Sequence, residues 1–227
     1  MRHEGTAQRR GEELRRHILL TAKDVFLETG FERASMDAVA ARAGTSKRSL
    51  YAHFESKDKL FLAVLDLVRE LYLDRLRTPD AYADEPAEAV ALFCGRFLQL
   101  MTWESQLRTC RLSITAAERL PVSSRAYYDA VFATTHDRLA AYLAEKYGPA
   151  GGAGEDAAPD PDADPAALAE DLLARTVLPR LFRALLDVEE GVKEMPDDAA
   201  LADHPDLPAI RRRVAAALAG RVPADVS

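Results

Sequence analysis

The 227-residue chain has two cysteines, Cys94 and Cys110, and one tryptophan, Trp103. Two cysteines make neither a disulfide framework nor a four-ligand metal site. No apolar run approaches the roughly 18 residues that suggest a membrane span. The first sixteen residues, "MRHEGTAQRRGEELRR", lack the apolar core of a secretory signal. A cytoplasmic protein with no membrane partner is therefore expected. Also missing are nucleophile elbows, metal-ligand pairs, phosphate-cradling loops and dinucleotide fingerprints. "GPAGGAG" clusters glycines, but acids and prolines flank it rather than a strand and a helix. No enzyme, cofactor or bound metal is expected on these grounds.

What is present is helical spacing and an uneven charge. The net charge is -7, yet residues 1–60 hold 12 Lys+Arg against 9 Asp+Glu, a surplus of +3. The remaining residues hold 18 against 28, a balance of -10. Such asymmetry points to different partners for the two regions. Apolar residues recur at helical intervals through most of the chain, and no strand alternation or internal repeat stands out. The fold class is all-α.

Leu14, Ile18, Ala22, Val25 and Phe26 form one stripe, and Gly30 stands where a left-handed cap would end that helix. Ser35 precedes a short helix over Met36–Ala43, with Asp37 suited to its first turn. Gly44–Ser46 form a turn, Ser46 can cap a helix over Lys47–Phe54, and Ser56 can cap a long one reaching Arg77. Helix, glycine turn, helix is the geometry of a helix-turn-helix. Val39, Ala40, Leu50 and Phe54 would lock the pair together. The other face of the second helix carries Lys47, Arg48, Ser49, Tyr51 and His53, donors suited to phosphate oxygens and base edges. Lys57 opposes its own helix dipole, which a nearby phosphate would explain. That corner alone also fits a helical protein-interaction module with a structural helix-turn-helix.

"AKDVFLETGFERASMDAVAARAG" followed by "TSKRSLYAHFESKDKLF" resembles the DNA-binding domain of the TetR family of transcriptional regulators. The likeness rests on Gly30-Phe31, Ser35, the Leu50–Phe54 run "LYAHF" and the "SKDKL" start at Ser56, and it spans residues 12–72. It implies three short helices for DNA, a connecting fourth and a larger helical C-terminal domain. Carried over by position, it implies base or phosphate contact by Ser35, Thr45, Ser46, Lys47, Arg48, Ser49, Tyr51, His53 and Lys57. Family members often have Gly, Pro or Ala where Arg48 stands, and Asp37 would repel a phosphate. Residues 1–11 are expected as a flexible basic arm, whose Arg2, Arg9 and Arg10 would reach phosphate or minor groove. Residues 12–72 would bind DNA, with the motif at 35–54, and 73–227 would bind ligand and dimerise. The Gly/Pro/Asp-rich stretch 148–165 is expected as a mobile loop.

The resemblance further implies a homodimer on a duplex operator and a small-molecule effector. "LLARTVLPRLFRALL" is apolar on more than one face, so one side is open to a partner subunit. Read as one helix kinked at Pro179 and paired with Tyr127–Tyr147, it gives an interface of Tyr127, Val131, Leu139, Val177, Leu178, Leu181, Phe182 and Leu185. An effector pocket between Asp84 and Leu143 would draw on Phe93, Phe97, Met101, Trp103, Cys110, Ile114, Tyr128, Phe132 and His136. Cys94 and Cys110 could instead sense oxidants. Repression is the family habit.

Overall fold

The computed structural model describes residues 3–148, 164–221 and 223. Among them the regular structure is helical, and the isolated β-bridge between Trp103 and Val192 belongs to no strand. The chain forms two compact units. Residues 1–72 and 108–128 make the first; residues 73–107 and 129–227 make the second. The stretch 108–128, expected with the C-terminal region, thus groups with residues 1–72.

In the first unit, α1 (His3–Arg33) lies against α2 (Met36–Arg42), which packs on α3 (Lys47–His53). Then α4 begins, spanning Lys57–Leu73. Ile18, Ala22, Phe26, Leu50, Leu60 and Phe61 are at most 1% exposed. Phe31 joins Phe26 and Phe61, with ring centroids 5.0–5.9 Å apart. The Gly-aromatic pair is explained by this packing. Gly30 has φ 76 and ψ 162, a region essentially closed to side chains, and so turns the chain and delivers the Phe31 ring to the core. The turn therefore has positive φ, as expected, but not the left-handed helical conformation. Gly44 (φ 62) ends α2 in a Schellman motif, with Thr45 N–H donating to the Ala40 carbonyl at 3.0 Å and Gly44 N–H to Ala41 at 3.3 Å.

The basic arm expected at 1–11 is helical from His3 onward. "AQRRGEELRR" is rich in helix formers, with Glu12 and Arg16 at the favourable i,i+4 spacing. Arg2 lies outside the described residues.

The second unit centres on α5 (Pro86–Met101), with α11 (Leu207–Ala217) packed against it. Gly95 permits their closeness: a Cβ there would sit 3.3 Å from methyl carbons of Leu201 and Leu207. The helix α6 (Glu104–Thr115) crosses from the second unit into the first, and α7 (Pro121–Tyr128) belongs wholly to the first. A π turn at Asp129–Ala133 leads into α8 (Thr134–Tyr147), which lies along α9 (Pro165–Thr176). The stretch 172–186, read as one helix kinked at Pro179, belongs to two helices. The chain breaks at Val177 (φ -110, ψ -51), and Pro179 falls in the first turn of α10 (Leu178–Leu185). Proline lacks an N–H that the first turn does not need, so it starts a helix rather than kinking one. The mobile loop expected at 148–165 falls mostly at 149–163, outside the described residues.

Candidate nucleic-acid interface

Three serines set the frame of the motif. Ser35 Oγ accepts from Ala38 N–H at 3.1 Å, Ser46 Oγ from Ser49 N–H at 3.1 Å, and Ser56 Oγ from Lys59 N–H at 3.2 Å. Each hydroxyl accepts as an N-cap and keeps its own proton for an outside acceptor. Leu50 is the buried residue of α3, at 0% exposure, and the helix turns its polar side to solvent. Lys47 and Arg48 are exposed, Tyr51 is 48% exposed, and Thr45, Ser49 and His53 are half-buried at the edges. Among the described residues Arg48 has no side-chain partner. Lys47 Nζ sits 2.6 Å from Asp37, both well exposed, so the acid that would repel phosphate is screened by a neighbouring cation.

Behind this face, α1 clasps the motif. His17 Nε2 lies 3.2 Å from the Ala43 carbonyl, and the Arg15 guanidinium stands 5.3 Å over the Phe54 ring. The Arg42 guanidinium grips the Glu28 carboxylate. The Arg42 hydrogen bond, assisted by the charges of Arg42 and Arg108, holds that carboxyl below the usual range.

Lys57 has a different job from the one expected. Its ammonium donates to the carbonyls of Phe31 (2.8 Å), Glu32 (3.2 Å) and Ala34 (3.1 Å), and stands 4.5 Å over the Phe31 ring. All three protons are committed, to carbonyls left open where α1 ends. These carbonyls, rather than a phosphate, explain a cation at the start of α4.

The named effector residues divide between the units. Cys110, Ile114 and Tyr128 lie in the first, where Ile114 and Tyr128 are 61% and 58% exposed. Phe93, Phe97 and Met101 are buried in the second, and the Phe97 and Phe132 rings meet edge-on at 6.1 Å. Trp103 is half-buried beside the backbone bridge to Val192. His136 hydrogen-bonds to Asp137 (3.2 Å) and to the Ala166 carbonyl (3.0 Å). A groove of about 470 Å³ runs between α9 and α11, lined by residues such as Asp171, Arg175 and Arg213, and includes none of these candidates.

Of the dimer candidates, Tyr127, Val131, Leu139, Val177 and Leu181 are at most 5% exposed within this single chain. They are interior residues of their own units, Leu139 for instance lying on α8, which packs along α9. Leu178 (48%) and Phe182 (63%) are exposed, Leu185 is half-buried, and Leu186 (61%) extends the same face of α10. Both thiols are buried. Burial pushes Cys94 up to about 12 and raises Cys110 as well, which leaves the redox reading without a thiolate.

Sequence reasoning missed Arg96, 4% exposed in the middle of α5. It donates to Gln99 Oε1 (2.6 Å) and the Pro196 carbonyl (3.0 Å), and pairs with Asp198 at 3.1 Å. An arginine inside "ALFCGRFLQLM" is the signal that could have found it, since a buried cation needs a partner. Among the described residues no group of three or more His, Cys, Asp or Glu could hold a metal. None of the described helices is long and apolar enough to cross a membrane.

The sequence pattern of the bacterial regulatory proteins of the tetR family matches residues 18–64, and that of the AefR-like transcriptional repressor C-terminal domain matches residues 88–190. The chain belongs to the TetR family of transcriptional regulators. Among TetR-family and other helix-turn-helix relatives, the transcriptional activator FasR of Mycolicibacterium smegmatis is 43% identical over 26% of this chain and 35% of its own. The transcriptional regulator UidR of Escherichia coli is 38% identical over 32% of this chain and 37% of its own. The chain thus spans little more than a third of these relatives. A solved TetR-family regulator from Mesorhizobium loti superposes with TM-score 0.70 at 23% identity, covering 91% of this chain and 97% of that one. At that identity the likeness concerns the fold.

Proposed function

We propose that this chain is a ligand-responsive transcriptional repressor that binds a pseudo-palindromic duplex operator as a homodimer. The observation that carries the reading is the solvent-facing polar side of α3, where Arg48 has no side-chain partner among the described residues and Tyr51 is half-exposed. Side chains idle in the free protein are available to a duplex. Arg48 can fork onto guanine, and Tyr51 can meet a phosphate or a thymine methyl. Ser35 and Ser46 can donate to phosphates while still capping their helices, and Lys47 can exchange Asp37 for a phosphate. Ser49, Thr45 and His53 flank this surface. Lys57 supports the motif from behind and is not among the proposed contacts.

One recognition helix reads few base pairs, and a two-fold dimer doubles the site if its helices stand about 34 Å apart. The exposed α10 face of Leu178, Phe182 and Leu186 supports a second copy as partner. A small-molecule effector is proposed on the family likeness of residues 88–190. An effector preferring a different spacing of the two α3 helices would weaken DNA binding, and DNA would weaken effector binding equally. The repressor sense rests on the likeness of residues 88–190 to the C-terminal domain of AefR-like transcriptional repressors.

The deciding experiment is selection of duplexes from a random pool by the full chain. The expected result is a recovered two-fold sequence whose binding weakens steeply with salt. Retention of no duplex at any salt would favour a protein-interaction module instead.

A further inference from the structure

Residues 108–128 leave the second unit within α6 and re-enter it at the π turn Asp129–Ala133. Between those points they pack with the DNA-binding helices, and Arg119 makes a specific connection. One terminal nitrogen of its guanidinium lies 2.7 Å from both carboxylate oxygens of Glu32. The guanidinium also stands 5.3 Å over the Phe31 ring, which is 5% exposed. Lys57 holds the same short segment through its carbonyls. Residues 31–34 are therefore gripped twice, by the backbone from α4 and by side chains from the turn before α7. This segment runs from the Gly30 turn to Ser35, the cap of α2, so its pose fixes where the helix-turn-helix begins.

We infer that Arg119 is a positioning residue for the helix-turn-helix, through which residues 108–128 set the pose of the 31–34 hinge. The inference rests on the DNA-binding reading above. An exposed ion pair alone does little, and this one is exposed, at 54% and 69%. Its leverage comes from where it acts and from stacking on a buried ring. Both ends of the 108–128 segment continue into the second unit, so a shift there reaches Arg119 along two covalent paths. Arg108, on the same segment, adds its charge near Glu28, one turn before Glu32.

The test separates a latch from a mere charge. A duplex is a polyanion, so a pure field effect makes Glu32→Gln bind more tightly and Arg119→Gln more weakly. A latch makes both weaker. In the full chain, each variant is expected to bind the duplex selected by wild type about two- to fivefold less tightly. Each is also expected to speed hydrogen exchange of the amides at 31–35 by a similar factor. The double exchange Glu32→Arg with Arg119→Glu rebuilds the ion pair but not the ring contact, and is expected to recover part of the loss in both readouts. Opposite signs for the two single variants, unchanged exchange at 31–35, or no restoration in the double variant would overturn the inference. If wild type selects no duplex, the DNA reading fails by itself, and exchange at 31–35 still decides whether Arg119 holds the hinge.

Discussion

The helices α5 and α3 are built to opposite plans. In α5, twelve of sixteen residues are buried, and even its arginine is satisfied within the chain. In α3, one residue of seven is buried, and the polar side chains on its outer face do little for the fold. Residues of α5 are fixed by their neighbours: Gly95 by close-packed methyl groups, Arg96 by carbonyls and Asp198. Among the described residues, those on the outer face of α3 find little within the chain beyond the exposed Lys47–Asp37 pair. Stability and the proposed recognition therefore fall to different helices, and substitutions should separate them.

The sharpest challenge to that division is a truncation in α5. Leu98→Ala should lower the free energy of unfolding by about 2–5 kcal/mol, read from urea denaturation, because Leu98 is 0% exposed. A cost below about 1 kcal/mol would mean that α5 is not the core it looks to be. Next comes Lys57→Ala, at about 1–2 kcal/mol, since three carbonyls lose their shared donor. The salt dependence of duplex binding should stay as in wild type; a slope lower by about one unit would return Lys57 to the list of phosphate contacts. Tyr51→Ala should change unfolding by no more than about 0.5 kcal/mol while reducing retention of the selected duplex at least about tenfold. Equal losses of stability and binding would erase the contrast between α3 and α5.

The smallest effect concerns pH. Burial lowers the proton affinity of His204; Asp206 opposes this and Arg180 reinforces it, for a net lowering. The unfolded chain then takes up the proton first as pH falls through the ordinary histidine range near about 6.5. Stability from a neutral His204 is present above that range and fades below it. The difference in unfolding free energy between wild type and His204→Gln should shrink between about pH 7.5 and about pH 5.5. A difference independent of pH would show that His204 keeps its ordinary affinity.

Local chemistry made the recognition end legible. Serine caps, the glycine turns and apolar spacing act over a few residues, and Ser35, Gly44 and Ser46 do what their types imply. The role of Lys57 was not legible, because its acceptors lie 23–26 residues away, at the end of another helix. The division of 172–186 between two helices was legible in principle, since Pro179 fits a first turn better than an interior. The exposed side of α10 was not, because Leu181 and Phe182 look alike in sequence, and only packing decides that the first is 2% and the second 63% exposed. The grouping of 108–128 with the first unit joins residues far apart in the chain, as where Arg119 meets Glu32 across 87 residues, which helical periodicity does not report.

The burial of Cys94 and Cys110 also bears on how this protein can be handled at the bench. The sequence has no other sulfhydryl, and both are enclosed with their proton affinities raised. A cysteine introduced on the outer surface, as in Ala52→Cys, would react with a maleimide dye well ahead of either native one. The native chain is thus already a low-background host for a fluorophore beside the exposed face of α3.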